Sequence, residues 1–389
     1  MSKNIKNILI ITLVAILLIV LTIITTNIRK NNKFMTENRT LNGKEASYCN
    51  PVIPNGFRTS NKGASWKYVN GKIEGWNDGL VIEDELGNEF VWVPVKDGIE
   101  QDGEYTENEK LIYKKWYNIS NVQEMDNKTL EEIKTILGKE SLDSKIQEEQ
   151  IIEDLLPNGV ISEYSQIEKY EGFYIARYEA GINEDNLKEL YNLEDGYNFI
   201  TVDGRNNTDK YIPVSKKDSQ IWNFIEYSNA KKVAENMYEE DDIKSGLMTG
   251  RQFDTIMRWA ILCGYDLEDT TTWGNFLDTY SNKYSGRYAS YLRKESQDWQ
   301  IHGYGDKKND NIIFTSAGGL ETAKMNNIYD IAGNVIEFTT DLYEGNISLV
   351  RGGSAAYSGK KDSPHTAISF SFGDAMHYVI GFRVVLYLD

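Results

Sequence analysis

Cysteine is almost missing from this chain: Cys49 and Cys263 are the only two in 389 residues. That excludes a disulfide-dense secreted scaffold and every zinc-type cysteine cluster. Two thiols so far apart in sequence leave open whether they pair. Proline is also scarce, with six residues, which argues against an extended stalk. Basic residues are in deficit, 42 Lys and Arg against 59 Asp and Glu, for a net charge of −17. A surface so acidic is unsuited to phosphate backbones, and nucleic acid is excluded as a partner. There is no internal repeat, P-loop or dinucleotide fingerprint.

What the chain does have is apolar and aromatic bulk. Hydrophobic residues make up 40% and aromatics 12%, with 25 tyrosines and eight tryptophans. A chain of this kind can bury a sizeable core.

The longest hydrophobic run, Ile8 to Thr26, carries no charge. As a helix it would span roughly 28 Å, close to the ~30 Å hydrocarbon thickness of a bilayer. No small-residue cleavage site follows; Asn27-Ile28-Arg29-Lys30 is a polar stop. The expectation is an uncleaved single-pass anchor within residues 1–30, with the transmembrane helix at 8–26. Lys3 and Lys6 precede the run, while Arg29, Lys30 and Lys33 follow it, so flanking charge nearly ties. A short N-terminal tail commonly stays inside, which places the acidic C-terminal body outside the cytoplasm at the cell membrane.

Residues 31–47 are polar and read as a linker, with a globular domain over 48–389. Within it, Glu89 to Val95 is apolar on both faces, the pattern of a buried strand, with Pro94 expected at its end. Residues 97–165 break the pattern. Lys128–Leu137 and Ser144–Leu156 have amphipathic periodicity and read as a helical insertion, stopped by Pro157-Asn158-Gly159. Strand character returns at Gly172-Phe-Tyr-Ile-Ala-Arg-Tyr-Glu179. A helix is expected from Ser228 as N-cap, and Thr249-Gly-Arg-Gln252 has the form of a capping box. The helix it opens would align Phe253, Ile256, Met257 and Ala260. Residues 264–326, rich in Gly, Asn and Tyr, read as long loops.

The last sixty residues carry three glycine-hinged motifs: Ile328-Tyr-Asp-Ile-Ala-Gly-Asn-Val-Ile-Glu-Phe338, Arg351-Gly-Gly-Ser354 and Gly381-Phe-Arg383. With the pieces at 172–179, Pro213-Val214, Ser228 and Ser245–Asp254 in that order, the chain resembles the formylglycine-generating enzyme (sulfatase-modifying factor) family. The resemblance implies an α+β, C-type-lectin-like fold with long loops, preceded here by the transmembrane helix. The chain departs from the family at Ile336 and Phe338, where tryptophans are usual. It departs again at Gly246–Gly250, where Arg-Leu-Pro-Thr-Glu is usual. Apolar volume and helix cap survive both changes.

By its residues alone, 330–337 is a tight loop offering two carboxylates, Asp330 and Glu337, around Gly333. Oxygen ligands of this kind suit calcium; an Asx-turn at Asp330, with Glu337 accepting backbone N–H bonds, is the alternative. The resemblance implies a structural Ca2+ held by the side chains of Asp330 and Glu337 and the carbonyls of Gly333 and Val335. A second family site near Asn275 does not match in flanking length.

The family's reaction uses two cysteines between Arg-Gly-Gly-Ser and Gly-Phe-Arg, where paired thiolates hold copper. Residues 355–380 contain none, so copper is not expected and no catalytic residue is assigned. His365 and His377 with Asp362 and Asp374 form only a weak metal pattern. The same segment mixes tyrosine, serine and histidine as binding loops do. C-type-lectin-like scaffolds also serve as variable binding proteins. The expectation is therefore a silent scaffold binding an extracellular protein or glycan through Tyr357, Ser369, Ser371, Asp374 and His377. The alternative is a divergent oxidoreductase or other enzyme of the family.

Overall fold

The computed structural model describes residues 34–60, most of 66–95, 163–183, most of 211–360, 369–370 and 379–388, with Ile16 alone before them. The two helices expected at 128–137 and 144–156 lie outside the described residues, as does the apolar run at 8–26 apart from Ile16. Among the described residues no helix is long and apolar enough to cross a membrane.

The architecture is α+β and sheet-rich. In chain order the elements that matter here are β1 (Phe57–Thr59), β2 (Val81–Asp84), β3 (Glu89–Pro94), α1 (Glu163–Tyr170), β4 (Gly172–Ala176), α2 (Tyr227–Glu235), β5 (Glu239–Glu240), β6 (Ile243–Leu247), α3 (Gly250–Leu262), β7 (Ile336–Tyr343), β8 (Ile347–Arg351), β9 (Ser369–Phe370), β10 (Ile380–Phe382) and β11 (Val384–Leu388). A seven-stranded antiparallel sheet runs β5-β6-β11-β4-β3-β2-β1. A four-stranded sheet runs β9-β8-β7-β10, its β7–β10 pair being parallel.

The larger sheet is covered on both faces, which explains the unbroken apolar run in β3. Phe90 and Trp92 point to the side where Ala230, Val233 and Ala234 of α2 pack; Val91 and Val93 point to Phe253, Ile256, Met257 and Ala260 of α3. Pro94 ends β3 opposite Gly172, where its missing N–H costs little. The capping box forms as expected. Thr249 Oγ1 accepts from Gln252 N–H at 3.0 Å, and Gln252 Oε1 accepts from Thr249 N–H at 2.9 Å.

Four expectations need correction. The linker at 31–47 is folded onto the domain from Phe34: Met35 bonds Phe57, Arg39–Thr40 pairs with Val52–Ile53, and Met35, Leu41 and Ala46 pack against the core. The insertion expected to end near 165 must end earlier. Helix α1 starts at Glu163 and Gln166 bonds both backbone groups of Leu388, tying α1 to the C-terminal strand. Ser228 is not an N-cap; Glu226 holds that place and Ser228 lies in the first turn. The stretch 264–326 includes short strands, among them Ala289–Leu292 paired with Trp299–His302 and with Ile312–Phe314. Strands of three or four residues show too few alternations for a pattern to register.

Candidate functional site

The two motifs Ile328–Phe338 and Gly381–Arg383 meet at the junction of the sheets. Gly381 lies beside Glu337 in the parallel register, and a Cβ on it would come within 2.8 Å of Val335 Cγ2. Phe382 is buried against Trp222, ring centroids 5.9 Å apart. Arg383 then reaches Glu337: its Nε and Nη2 lie 2.8 and 2.6 Å from Oε1. The rest of the guanidinium donates to the carbonyls of Ala176 and Tyr329. Small, large and charged are thus each required at their own position of Gly-Phe-Arg.

The loop entering β7 is sharply turned. Asp330, Gly333 and Asn334 all have left-handed backbones, with φ of 56°, 85° and 59°. At Gly333 a Cβ would meet the Asn275 carbonyl oxygen at 2.2 Å, so only glycine fits. Asp330 Oδ2 accepts from Gly318 N–H at 2.6 Å.

A third carboxylate joins them. Glu179, at the end of the piece Gly172–Glu179, accepts from Asn334 Nδ2 at 2.6 Å and from Val335 N–H at 3.1 Å. Asn334 Oδ1 in turn accepts from Asn275 Nδ2 and Thr315 N–H, each at 2.9 Å. Glu179, Asp330 and Glu337 are all essentially without solvent exposure. Burial raises all three carboxyls above the usual range. Asp330 is pushed up to about 7; Asp330 and Glu337 push Glu179 further, and Arg383 opposes the rise at Glu337. Arg383 counters the three carboxylates and Lys217 acts on Asp330, so negative charge still exceeds positive when all three are ionised.

Two oxygens of this cluster, Asp330 Oδ1 and Glu337 Oε2, are buried and accept no hydrogen bond among the described residues. Buried acceptors are seldom left so, because desolvation costs about 1–3 kcal/mol each. They belong to the two residues whose side chains the resemblance assigns to calcium. The alternative turn pattern is not complete: among the described residues Glu337 accepts from Arg383 and from no backbone N–H group. Among the described residues no group of three or more His, Cys, Asp or Glu side chains is arranged to hold a metal. Two carboxylates completed by backbone carbonyls need no such group, and the hard oxygen donors fit a hard divalent cation.

Of the five residues expected to bind a ligand, Tyr357 is exposed (40%) and Ser369 lies on β9; Ser371, Asp374 and His377 lie outside the described residues. The structure also brings in residues the sequence does not single out. The carbonyl of Tyr357 accepts from Leu277 N–H, Ser358 Oγ and Gly359 N–H both donate to Asp278, and Thr270 Oγ1 donates to the Gly359 carbonyl. Residues 357–359 are therefore fastened to 270–278. No local motif announces that pairing.

Neither cysteine is in a disulfide. Cys49 lies beside Ser47, and Cys263, just past the end of α3, accepts from Asn326 Nδ2 at 3.0 Å. Burial pushes the Cys263 thiol up to about 11, away from the thiolate form.

The sulfatase-modifying factor enzyme 1-like domain model matches residues 164–388, more than half of the chain. Among solved structures, the chain is similar to that of the "Crystal Structure of CarF", at 13% identity and a TM-score of 0.31, covering 56% of this chain and 87% of that one. It is also similar to Treponema denticola variable protein 1, at 17% identity and a TM-score of 0.21, covering 39% of this chain and 50% of the other. No curated protein matches.

Proposed function

Because the chain belongs to the sulfatase-modifying factor enzyme 1-like family, we propose that it is a membrane-anchored, extracytoplasmic ligand-binding protein on a catalytically silent, C-type-lectin-like scaffold. The observation that carries this is the distribution of thiols. Residues 355–380 have no cysteine, and the two cysteines elsewhere are not bonded to each other and sit beside different neighbours. Without a thiolate pair there is no soft site for Cu(I). What stands at the start of this segment is an exposed tyrosine on a loop fastened at its base, an arrangement suited to contact with a glycan or protein.

The anchor is the charge-free run at 8–26, and only residues 27–33 separate it from the folded body. Calcium is proposed as a structural ion, held by the side chains of Asp330 and Glu337 and the carbonyls of Gly333 and Val335. It would supply the positive charge that the buried carboxylates lack and brace the loop; it has no part in a reaction here. The two acceptors without partners support this reading.

The experiment that tests the function pairs an aerobic assay on a sulfatase-type cysteine peptide with a screen of the full-length chain against glycan and protein arrays. Saturable binding with no turnover is expected. Turnover of any peptide in the assay, lost on heating the protein, makes the chain an enzyme and ends the silent-scaffold reading.

A further inference from the structure

Four successive backbone N–H groups of the calcium loop are each bound by a different segment. Gly333 N–H donates to Gly352 O at 2.9 Å, Asn334 N–H to Asn275 O at 2.8 Å and Ile336 N–H to Val379 O at 2.7 Å. The fourth, Val335 N–H, donates to Glu179 Oε1 at 3.1 Å. In a trans peptide the C=O of one residue points opposite to the N–H of the next. The Asn334 and Ile336 N–H bonds therefore aim the Gly333 and Val335 carbonyls, the ones assigned to the cation. The Val335 N–H bond to Glu179 aims the Asn334 carbonyl between them, which accepts from Ala355 N–H at 3.0 Å. Of the four acceptors only Glu179 is a side chain. Its other oxygen grips Asn334 Nδ2, and through Asn334 it ties the loop to Asn275 and Thr315. Asn334 is left-handed, a conformation that persists in a non-glycine residue only when its surroundings hold it.

Resting on the calcium reading above, we propose that Glu179 is a positioning residue of the calcium loop. Outside the expected ligand set, it fixes the Asn334–Val335 peptide, which lies between the two peptides that carry the Gly333 and Val335 carbonyls, so that the turn joining them is set before the cation arrives. Residues that orient metal ligands typically contribute about 10–100-fold to affinity. The effect should travel through the hydrogen bonds of the carboxylate and not through its charge alone.

The pair can be inverted. In E179Q the single amide oxygen can accept from Asn334 Nδ2 or from Val335 N–H but not from both, so one donor is left facing an N–H2. In N334D two carboxylates face each other. In E179Q/N334D the amide now at position 179 donates to the carboxylate now at position 334, whose other oxygen still accepts from Asn275 and Thr315. Calcium dissociation constants of the full-length chain in detergent, by isothermal titration, should be about 10–100-fold weaker in each single variant, with most of the loss recovered in the double. Should a single variant fail to fold, uptake by the double decides the matter. The proposal is overturned by an E179Q that binds as tightly as wild type, by an N334D that binds more tightly, or by a double variant no better than the singles. It is equally overturned if the variants melt lower in chelator while the folded protein keeps its calcium affinity. A wild-type chain that takes up no calcium instead removes the calcium reading, and this inference with it.

Discussion

Arg383 and Glu337 form an ion pair with essentially no solvent exposure, joined through two guanidinium nitrogens, at the point where the seven-stranded and four-stranded sheets meet. The same guanidinium donates to Ala176 on β4 and to Tyr329, just before the loop at 330–337. A buried pair adds little net stability over an apolar pair of similar volume, but breaking one strands a charge. R383M should therefore destabilise the domain by about 3–5 kcal/mol in urea unfolding. The double variant R383M/E337Q, with no stranded charge at that pair, should recover part of the loss. A single variant as stable as wild type would mean that the pair does not join the sheets.

Calcium should stabilise the fold measurably. A site saturated at about 100 times its dissociation constant contributes ~2.7 kcal/mol by mass action, so chelator should lower the melting temperature of wild type. E337Q should lose most of that response, because it removes one of the two buried carboxylates that lack a full set of partners. Isothermal titration of metal-stripped wild type without calcium uptake would reduce the loop to a turn held by Gly318 and Arg383.

The capping box at α3 gives a local prediction. T249A and Q252A each remove one of the two reciprocal bonds. Each should cost about 0.5–2 kcal/mol, with the double less than the sum because the bonds share a turn. Thermal melts of the three variants check this. A strictly additive pair would show that the two caps act independently.

Glu321 sets an acid limit. Desolvation pushes its carboxyl up, but the bonds from Tyr329, Lys217 and Lys324 outweigh this and bring it down from 4.5 to about 2. A carboxyl depressed in the folded state stabilises above its unfolded value, and the contribution is lost as pH falls through the folded value. Its side chain is 57% exposed, so solvent screening keeps the effect small. NMR titration should find Glu321 ionised well below pH 4.5, and E321Q should flatten the stability profile between that pH and about 2. An ordinary carboxylate titration would dismiss the network.

How legible these features are depends on the distance over which they act. Thr249 and Gln252 are three residues apart, and β3 announces its two-sided burial within six residues, so both can be read directly from the sequence. The carboxylates Asp330 and Glu337 are legible because one glycine-hinged motif holds both. Glu179 looks like no more than the end of a strand piece, since its bond to Val335 spans 156 positions. The segment at 34–47 misleads because Met35, Leu41 and Ala46 are isolated among polar residues, and only tertiary contact buries them. Helix α1 leaves little trace because its inward residues, Gln166, Ile167 and Tyr170, are few and one is polar.

The proposed membrane anchor predicts two separable results. Full-length protein should stay with membranes through alkaline carbonate washing, and protease added to intact cells should remove the body. A soluble protein would overturn the anchor; a membrane-bound protein wholly protected from protease would overturn the orientation alone.

The loop at 355–360 should divide sharply from the frame that carries it. Tyr357 is exposed and its own backbone is bound to Ser354 and Leu277, so the side chain stands where a ligand can reach it. Y357A should change stability by within about 0.5 kcal/mol, as is usual for a surface side chain, while weakening binding to whatever ligand the arrays identify. Arg351 differs although it lies only six positions earlier. It is fully buried with its guanidinium 4.8 Å from the Phe253 ring centroid, so R351A opens a cavity between β8 and α3 and should lower stability well beyond the surface range. Neither variant should yield formylglycine from a cysteine peptide, even with copper and oxygen supplied. The chain has no thiol pair between Ala355 and Ile380 to receive the metal, and the Cys263 thiol is held in its protonated form by burial. Mass spectrometry of the peptide against a heat-killed control decides this. Product above that control in wild type would restore the family's reaction and leave the loop as part of an active site.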